Sequence, residues 1–120
     1  MDEAFEGFPR SLPEFWVALR FHNTVTDQPD MIEAYRRNVT RPLTRLHGAL
    51  CPTVTRLAPG LCTRPSRCIS TPWADRRFSQ APFKEYLYLR FRQEGAASDI
   101  PGLYFDMGAE EYSCGLRVYK

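Results

Sequence analysis

Arg76, Arg77 and Lys84 crowd three cations into one short stretch, and tyrosine and arginine then alternate at Tyr86, Tyr88, Arg90 and Arg92. A guanidinium offers a planar fork that pairs with phosphate or carboxylate through two bonds, and an ammonium offers a compact charge. Tyrosine rings provide faces on which a base or an apolar ligand part can stack. Spacing by two places these side chains and Lys84 on one face of a strand, with Leu87, Leu89 and Phe91 on the other. The chemistry this predicts is recognition of an anion, either a small molecule or single-stranded nucleic acid. The competing reading is an ordinary solvated sheet face, or one covered by a helix.

Other chemistries find little support. Cys51, Cys62, Cys68 and Cys114 have no C-x-x-C spacing, and no histidine lies near the 62–68 pair, so no metal site is expected. No phosphate loop or dinucleotide fingerprint occurs, and no cofactor is expected. Ser79 has no evident base. His22 and His47 are the two histidines, and His47, beside Leu46, reads as a helix-surface or core-edge residue.

The elements that must carry these residues change character midway. Phe5 and Phe8 belong to a leader packed onto the domain. Ser11-Leu12-Pro13-Glu14 has the form of a capping box, opening a helix with Leu12, Phe15, Trp16 and Leu19 on one stripe and ending near Asn23 in a left-handed turn. Asp27 is the expected cap of a second helix, with Pro29 and Asp30 in its first turn. Ile32, Tyr35, Val39, Leu43, Leu46 and Leu50 sustain a helical period, with a kink expected at Pro42 and the regular part ending at Pro52. Val54 and Leu57 suggest one further helical turn before Pro59-Gly60.

From Cys62 the period becomes two. Residues 67–73 form a weak strand candidate, confined by Pro72 to an edge. Residues 86–93, 103–107 and 112–119 are the stronger strands. In the last, Tyr112, Cys114, Leu116 and Val118 alternate with Ser113, Gly115, Arg117 and Tyr119, so Arg117 and Tyr119 extend the basic-aromatic face if the strands share a sheet. Helices first and strands afterwards predict an α+β fold, two N-terminal helices followed by an antiparallel meander.

The 120 residues suit a single domain, residues 1–120, able to bury a core without a metal or disulfide. Net charge is +2. Residues 31–92 hold twelve cations against three carboxylates, net +9, while residues 1–30 stand at −4 and residues 93–120 at −3. An anionic partner for the middle explains this, and so does charge pairing within the fold. Fourteen of the sixteen cations are arginine. The sequence opens acidic, without a charged-then-apolar leader, and no apolar run approaches the ~20 residues needed to cross a bilayer. A cytoplasmic protein with four reduced thiols and no membrane partner is the expectation.

Asp75-Arg76-Arg77-Phe78-Ser79, Pro82-Phe83-Lys84, the Leu89-Arg90-Phe91 strand and Pro101-Gly102-Leu103-Tyr104-Phe105 resemble, in order, the family called domain of unknown function 2461. Phe5-Glu6-Gly7-Phe8 resembles its opening, His22-Asn23 takes the place of its Asn-Asn, and Tyr35 with Pro42 matches its second helix. Matching positions are Asn23, Asp75, Arg77, Ser79, Pro82 and Lys84. Ala74 stands where the family usually has Arg, Gln80 replaces a Lys-rich insert, and Thr24-Val25-Thr26 follows where a Trp is usual. Members usually continue through further helical sequence, so the resemblance implies a divergent member or the N-terminal part of a longer family domain. It implies no accepted reaction. Three function classes follow: an anion-binding domain using the basic turn and the Tyr/Arg strand, a fragment of an enzyme acting on a phosphate- or carboxylate-bearing substrate, and a structural or interaction module without a ligand site. Neither a reaction nor an oligomeric state is set by the sequence.

Overall fold

The computed structural model describes residues 4–94 and 100–118. Helices come first and a three-stranded antiparallel sheet last, an α+β arrangement as the change of period predicts. Helix α1, Leu12–Phe21, buries Leu12, Phe15, Trp16 and Leu19, the expected stripe. Its capping box does not form, because Ser11 Oγ donates instead to Asn38 Oδ1, well beyond that helix along the chain. Nor does Asp27 cap α2, Gln28–Tyr35; its carboxylate accepts from Thr24 Oγ1 at 2.7 Å, while its own amide donates back to that hydroxyl.

The kink expected at Pro42 takes a different form. Residues Arg36–Thr40 make a π-turn, closed by the Arg41 amide donating to the Arg36 carbonyl, and α3, Arg41–Leu57, follows directly. Pro42 lacks an amide proton, and its ring crowds the carbonyl four residues back, at Asn38. A π-turn there shifts the bonding by one residue and relieves that crowding. The Asn38 side chain, buried, donates to the Ala34 carbonyl at 2.8 Å. Pro52 does not end the helix, contrary to expectation; α3 continues past it to Leu57. The carbonyl four residues back, which its ring crowds, belongs to Gly48.

Residues 67–73 are not a strand. Pro65–Cys68 form a single helical turn, α4, and beyond it only Ile69 and Trp73 make isolated bridges, to Leu89 and Phe83. Pro65 pre-sets the first helical position, and Pro72 has no amide to give a ladder. Strands β1, Tyr86–Phe91, β2, Gly102–Gly108, and β3, Tyr112–Arg117, pair in sequence order, with Leu89 opposite Phe105 and Phe105 opposite Cys114.

Alternation in β1 is clean: Leu87, Leu89 and Phe91 are buried. With Phe105 and Met107 of β2 they form a layer against the helices, whose contribution to the core includes Trp16, Tyr35, Leu43 and Val54. The leader packs as expected, Phe8 stacking on Phe105 with ring centroids 6.3 Å apart. Among the described residues no helix is long and apolar enough to cross a membrane.

Two protons buried in this core set the alkaline limit. Burial pushes the Cys68 thiol up to about 12, aided by the nearby Cys62 and Cys51 thiols. Burial also raises the Tyr35 phenol, with Tyr86 adding to it. The unfolded chain loses both protons at ordinary values, so above about pH 9 the native state holds more protons and stability falls as pH rises. Lys84, whose value is lowered, contributes in the opposite sense and more weakly. Melting temperature should therefore drop between pH 9 and 11. Cys68→Ala should flatten that slope by on the order of 1 kcal/mol, or ~4 °C. An equal slope in both proteins would refute the assignment.

Candidate functional site

The outer face of the sheet is built from the residues that alternate with the core. Tyr86, Tyr88 and Arg90 of β1 lie opposite Gly108, Asp106 and Tyr104 of β2, and Gly115 and Arg117 of β3 lie opposite Tyr104 and Gly102. The strand pleat alone puts these side chains on one surface, away from the helices. Tyr86 is 47% exposed, and Tyr88, Arg90, Tyr104, Asp106 and Arg117 are half-buried.

Each cation on this face lies over a ring. The Arg90 guanidinium sits 3.9 Å from the Tyr88 centroid, and that of Arg117 sits 4.1 Å from Tyr104. Lys84 Nζ lies 5.5 Å from the Tyr88 centroid while donating to the Thr71 carbonyl and hydroxyl at 3.1 and 3.2 Å. Stacking fixes the guanidinium planes and removes rotamer freedom that a ligand would otherwise have to freeze. Gly115 matters here, because a Cβ at that position would meet the Tyr104 ring at 3.4 Å.

Asp106 stands between the two arginines, 3.8 Å from each. These are long contacts, and Arg90 Nε and Asp106 Oδ1 are shielded from solvent without a hydrogen-bond partner. Lys84, Arg90 and Arg117 against Asp106 and Glu111 leave the face positive by one charge. Burial, then the charge of Arg90, lowers the Lys84 ammonium below its ordinary value. A depression of about 280 Å³ opens between Tyr86, Arg90, Asp106, Glu111 and Ser113.

The predicted residues do not all meet here. Lys84, Tyr86, Tyr88 and Arg90 do. Arg77 is held in its own turn, its Nε and Nη2 donating to the two Asp75 oxygens at 3.1 and 2.8 Å, and its amide donating to Oδ1 at 3.0 Å. That pairing lowers the Asp75 carboxyl. Asp75 thus both caps the turn and orients an arginine. Arg76 is exposed. A concavity of about 430 Å³ joins this turn to the strand through Asp75, Phe78, Ser79, Lys84 and Tyr86, but neither arginine lines it. Arg92 lies in another depression, with Cys62, Arg67 and Glu94. Tyr119 lies outside the described residues.

Asn23, Ser79 and Pro82, among the positions matching the resemblance, serve the architecture of the turn. Asn23 is not a left-handed stop; no described residue other than glycine has positive φ. Its Nδ2 donates to the Phe83 carbonyl at 2.9 Å and to Glu85 Oε2 at 3.0 Å, and its Oδ1 accepts from the Phe83 amide at 3.0 Å. Pro82 is buried, its carbonyl accepting from the Ala74 amide, and Phe83 rather than Phe78 anchors the turn. Ser79 closes a small turn with Ala81. His47 is buried and stacked on Phe91, its Nε2 donating to the Thr63 carbonyl at 2.8 Å. Cys51 Sγ lies 3.3 Å from that nitrogen, but burial raises the thiol, which opposes a nucleophilic thiolate.

Reasoning from sequence missed Asp106 and Tyr104, which hold the second arginine. Their signal was present in the alternation of β2, where both fall on the face opposite Leu103, Phe105 and Met107. The largest of the described concavities, about 530 Å³, lies on the other side of the sheet among Leu50, Leu57, Phe91, Leu103 and Phe105. Its lining carries no charge, and it marks incomplete cover of the apolar layer by α3.

Compared with known proteins, the chain matches no family model, no curated protein and no solved structure.

Proposed function

We propose that this chain is a non-enzymatic α+β domain that binds an anion, a phosphate- or carboxylate-bearing small molecule or single-stranded nucleic acid, on the outer face of its sheet. The observation that carries the reading is the pair of arginine-on-tyrosine stacks, Arg90 on Tyr88 and Arg117 on Tyr104, on a face the helices leave open. Stacking fixes each guanidinium plane, whose fork can take an oxyanion, and Tyr86 supplies a further exposed ring. Asp106 balances part of the charge with an acceptor between the two arginines.

The enzyme reading draws on the lowered Lys84 value, the one titration feature that suits a proton-transfer group. Thr71 weighs against it, since two acceptors hold the ammonium in its charged form. Four free thiols suit the cytoplasm, where the reading places the protein.

Titration of the chain with a fluorescent single-stranded oligonucleotide, and separately with nucleoside triphosphate, should show binding at low ionic strength that weakens steadily with salt. Arg90→Ala should weaken it about tenfold or more, the worth of one charge-assisted bond. Absence of binding at low salt, or equal binding by Arg90→Ala, rules the proposal out.

A further inference from the structure

The two edges of the sheet are treated differently. Along β1, the Tyr88 carbonyl turns outward and accepts from the Ser70 amide at 3.0 Å, while the Tyr88 amide donates to Ser70 Oγ at 3.0 Å. Tyr35 Oη donates to the Lys84 carbonyl at 3.0 Å, just before the strand. That edge is capped. The β3 edge has no such cover among the described residues, and it carries neither proline, lysine nor bulge across the run paired with β2. Natural edges are usually guarded by one of these devices.

The outward groups of β3 can be identified. The Gly108 amide donates to the Glu111 carbonyl at 2.9 Å, so residues 111, 113, 115 and 117 direct their backbone groups toward β2. Tyr112, Cys114 and Leu116 direct theirs outward. These same three residues place their side chains on the apolar side of the sheet. Tyr112 is 73% and Leu116 69% exposed there.

We infer that β3 pairs with β3 of a second copy of this chain, antiparallel about a two-fold axis at Cys114, to make a six-stranded sheet. An isologous edge contact must match itself under that axis. With Cys114 opposite Cys114 of the second copy, Tyr112 falls opposite Leu116, apolar against apolar, and both pairs use the outward backbone groups. Glu111 then falls opposite Arg117 in a non-hydrogen-bonded pair, where side chains approach most closely. Moving the register by one residue sets the apolar side of one strand against the polar side of the other. Moving it by two sets Glu111 against Gly115 or against residue 119. Of these registers, the one at Cys114 combines matched faces with opposed charges. It leaves Arg90 and Tyr88 two strands from the seam, whereas Arg117 belongs to both the seam and the anion site.

The test is sedimentation velocity of the intact chain across a hundredfold range of concentration. The wild type should run as a monomer–dimer equilibrium. Glu111→Arg should shift it at least tenfold toward monomer, by placing two arginines together at each end of the seam. The double exchange Glu111→Arg with Arg117→Glu should restore dimerisation to within about threefold, which a merely destabilised fold would not do. Cys114→Pro removes an outward amide without touching the β2 ladder and should also give monomer. A wild type that stays monomeric throughout, a dimer unmoved by Glu111→Arg and Cys114→Pro, or a double exchange that fails to restore it while circular dichroism remains native, would each overturn the inference. Loss of oligonucleotide binding by Arg90→Ala with the dimer intact would separate this result from that of the anion site.

Discussion

Asn23→Ala should lower stability by about 3 kcal/mol, the largest loss expected from a polar substitution in this chain. Asn23 acts as a short strand of backbone. Its amide offers one donor and one acceptor to the Phe83 main chain, at 2.9 and 3.0 Å, across sixty residues of sequence. Removing it leaves a buried amide and a buried carbonyl unpaired, each worth ~1–3 kcal/mol when stranded away from water. The same side chain reaches Glu85, so the end of α1 and the start of β1 are joined at one residue. Phe83 stacks on Tyr35 and on Trp73, so its displacement would loosen the aromatic cluster that carries the turn. Asn23→Asp makes a sharper test. It keeps an acceptor for the Phe83 amide but sets a carboxylate beside the Phe83 carbonyl and the Glu85 carboxylate. That variant should be as unstable as Asn23→Ala at pH 7 and recover part of the loss as pH falls through the carboxylate range. Denaturant melts at pH 4.5 and 7 decide it; a cost below ~1 kcal/mol for Asn23→Ala would show that water replaces the bridge.

The role of Asn23 could not be read from the chain, whereas much of the fold could. Periods are local. The stripe Leu12, Phe15, Trp16 and Leu19 and the alternation through Leu87, Leu89 and Phe91 each need only their own segment, and both are buried as written. Caps are less secure, because a side chain that can cap can also reach elsewhere: Ser11 prefers Asn38, and Asp27 engages Thr24. Prolines misled in the same way. A single proline predicts a break, but a helix can absorb Pro42 by a π-turn and run on past Pro52. The basic surface was half legible. Lys84, Tyr86, Tyr88 and Arg90 share a face because strand geometry requires it, and Arg117 joins them by pairing through β2. Arg76 and Arg77 are close in sequence to that strand, but Asp75 supplies a nearer partner for Arg77, and proximity along a turn sets no direction in space. Asp106 entered the site through a register that no residue of β1 encodes.

Leu89→Ala and Leu57→Ala make the same chemical deletion and should differ by about 3 kcal/mol. Leu89 is 1% exposed, at the centre of β1, with Phe105 opposite on the sheet and Ile69 bridged on its other side. Truncation there removes three heavy atoms from a packed layer that cannot collapse freely, because the strand is pinned on both sides. Loss of transfer energy and the residual cavity together cost ~2–5 kcal/mol in such sites. Leu57, in the last turn of α3, is 73% exposed. Its truncation removes little buried surface, and alanine is the better helix former, so the expected change is within about 0.5 kcal/mol. The contrast bears on the candidate site as well as the core. The outward direction of Tyr88 and Arg90 follows from the inward direction of Leu89, since adjacent side chains on a strand take opposite faces. Thermal or denaturant melts of the two variants measure it directly. Comparable losses at both positions would mean that Leu89 is not packed in the core, and Tyr88 and Arg90 would then lose the pleat that presents them.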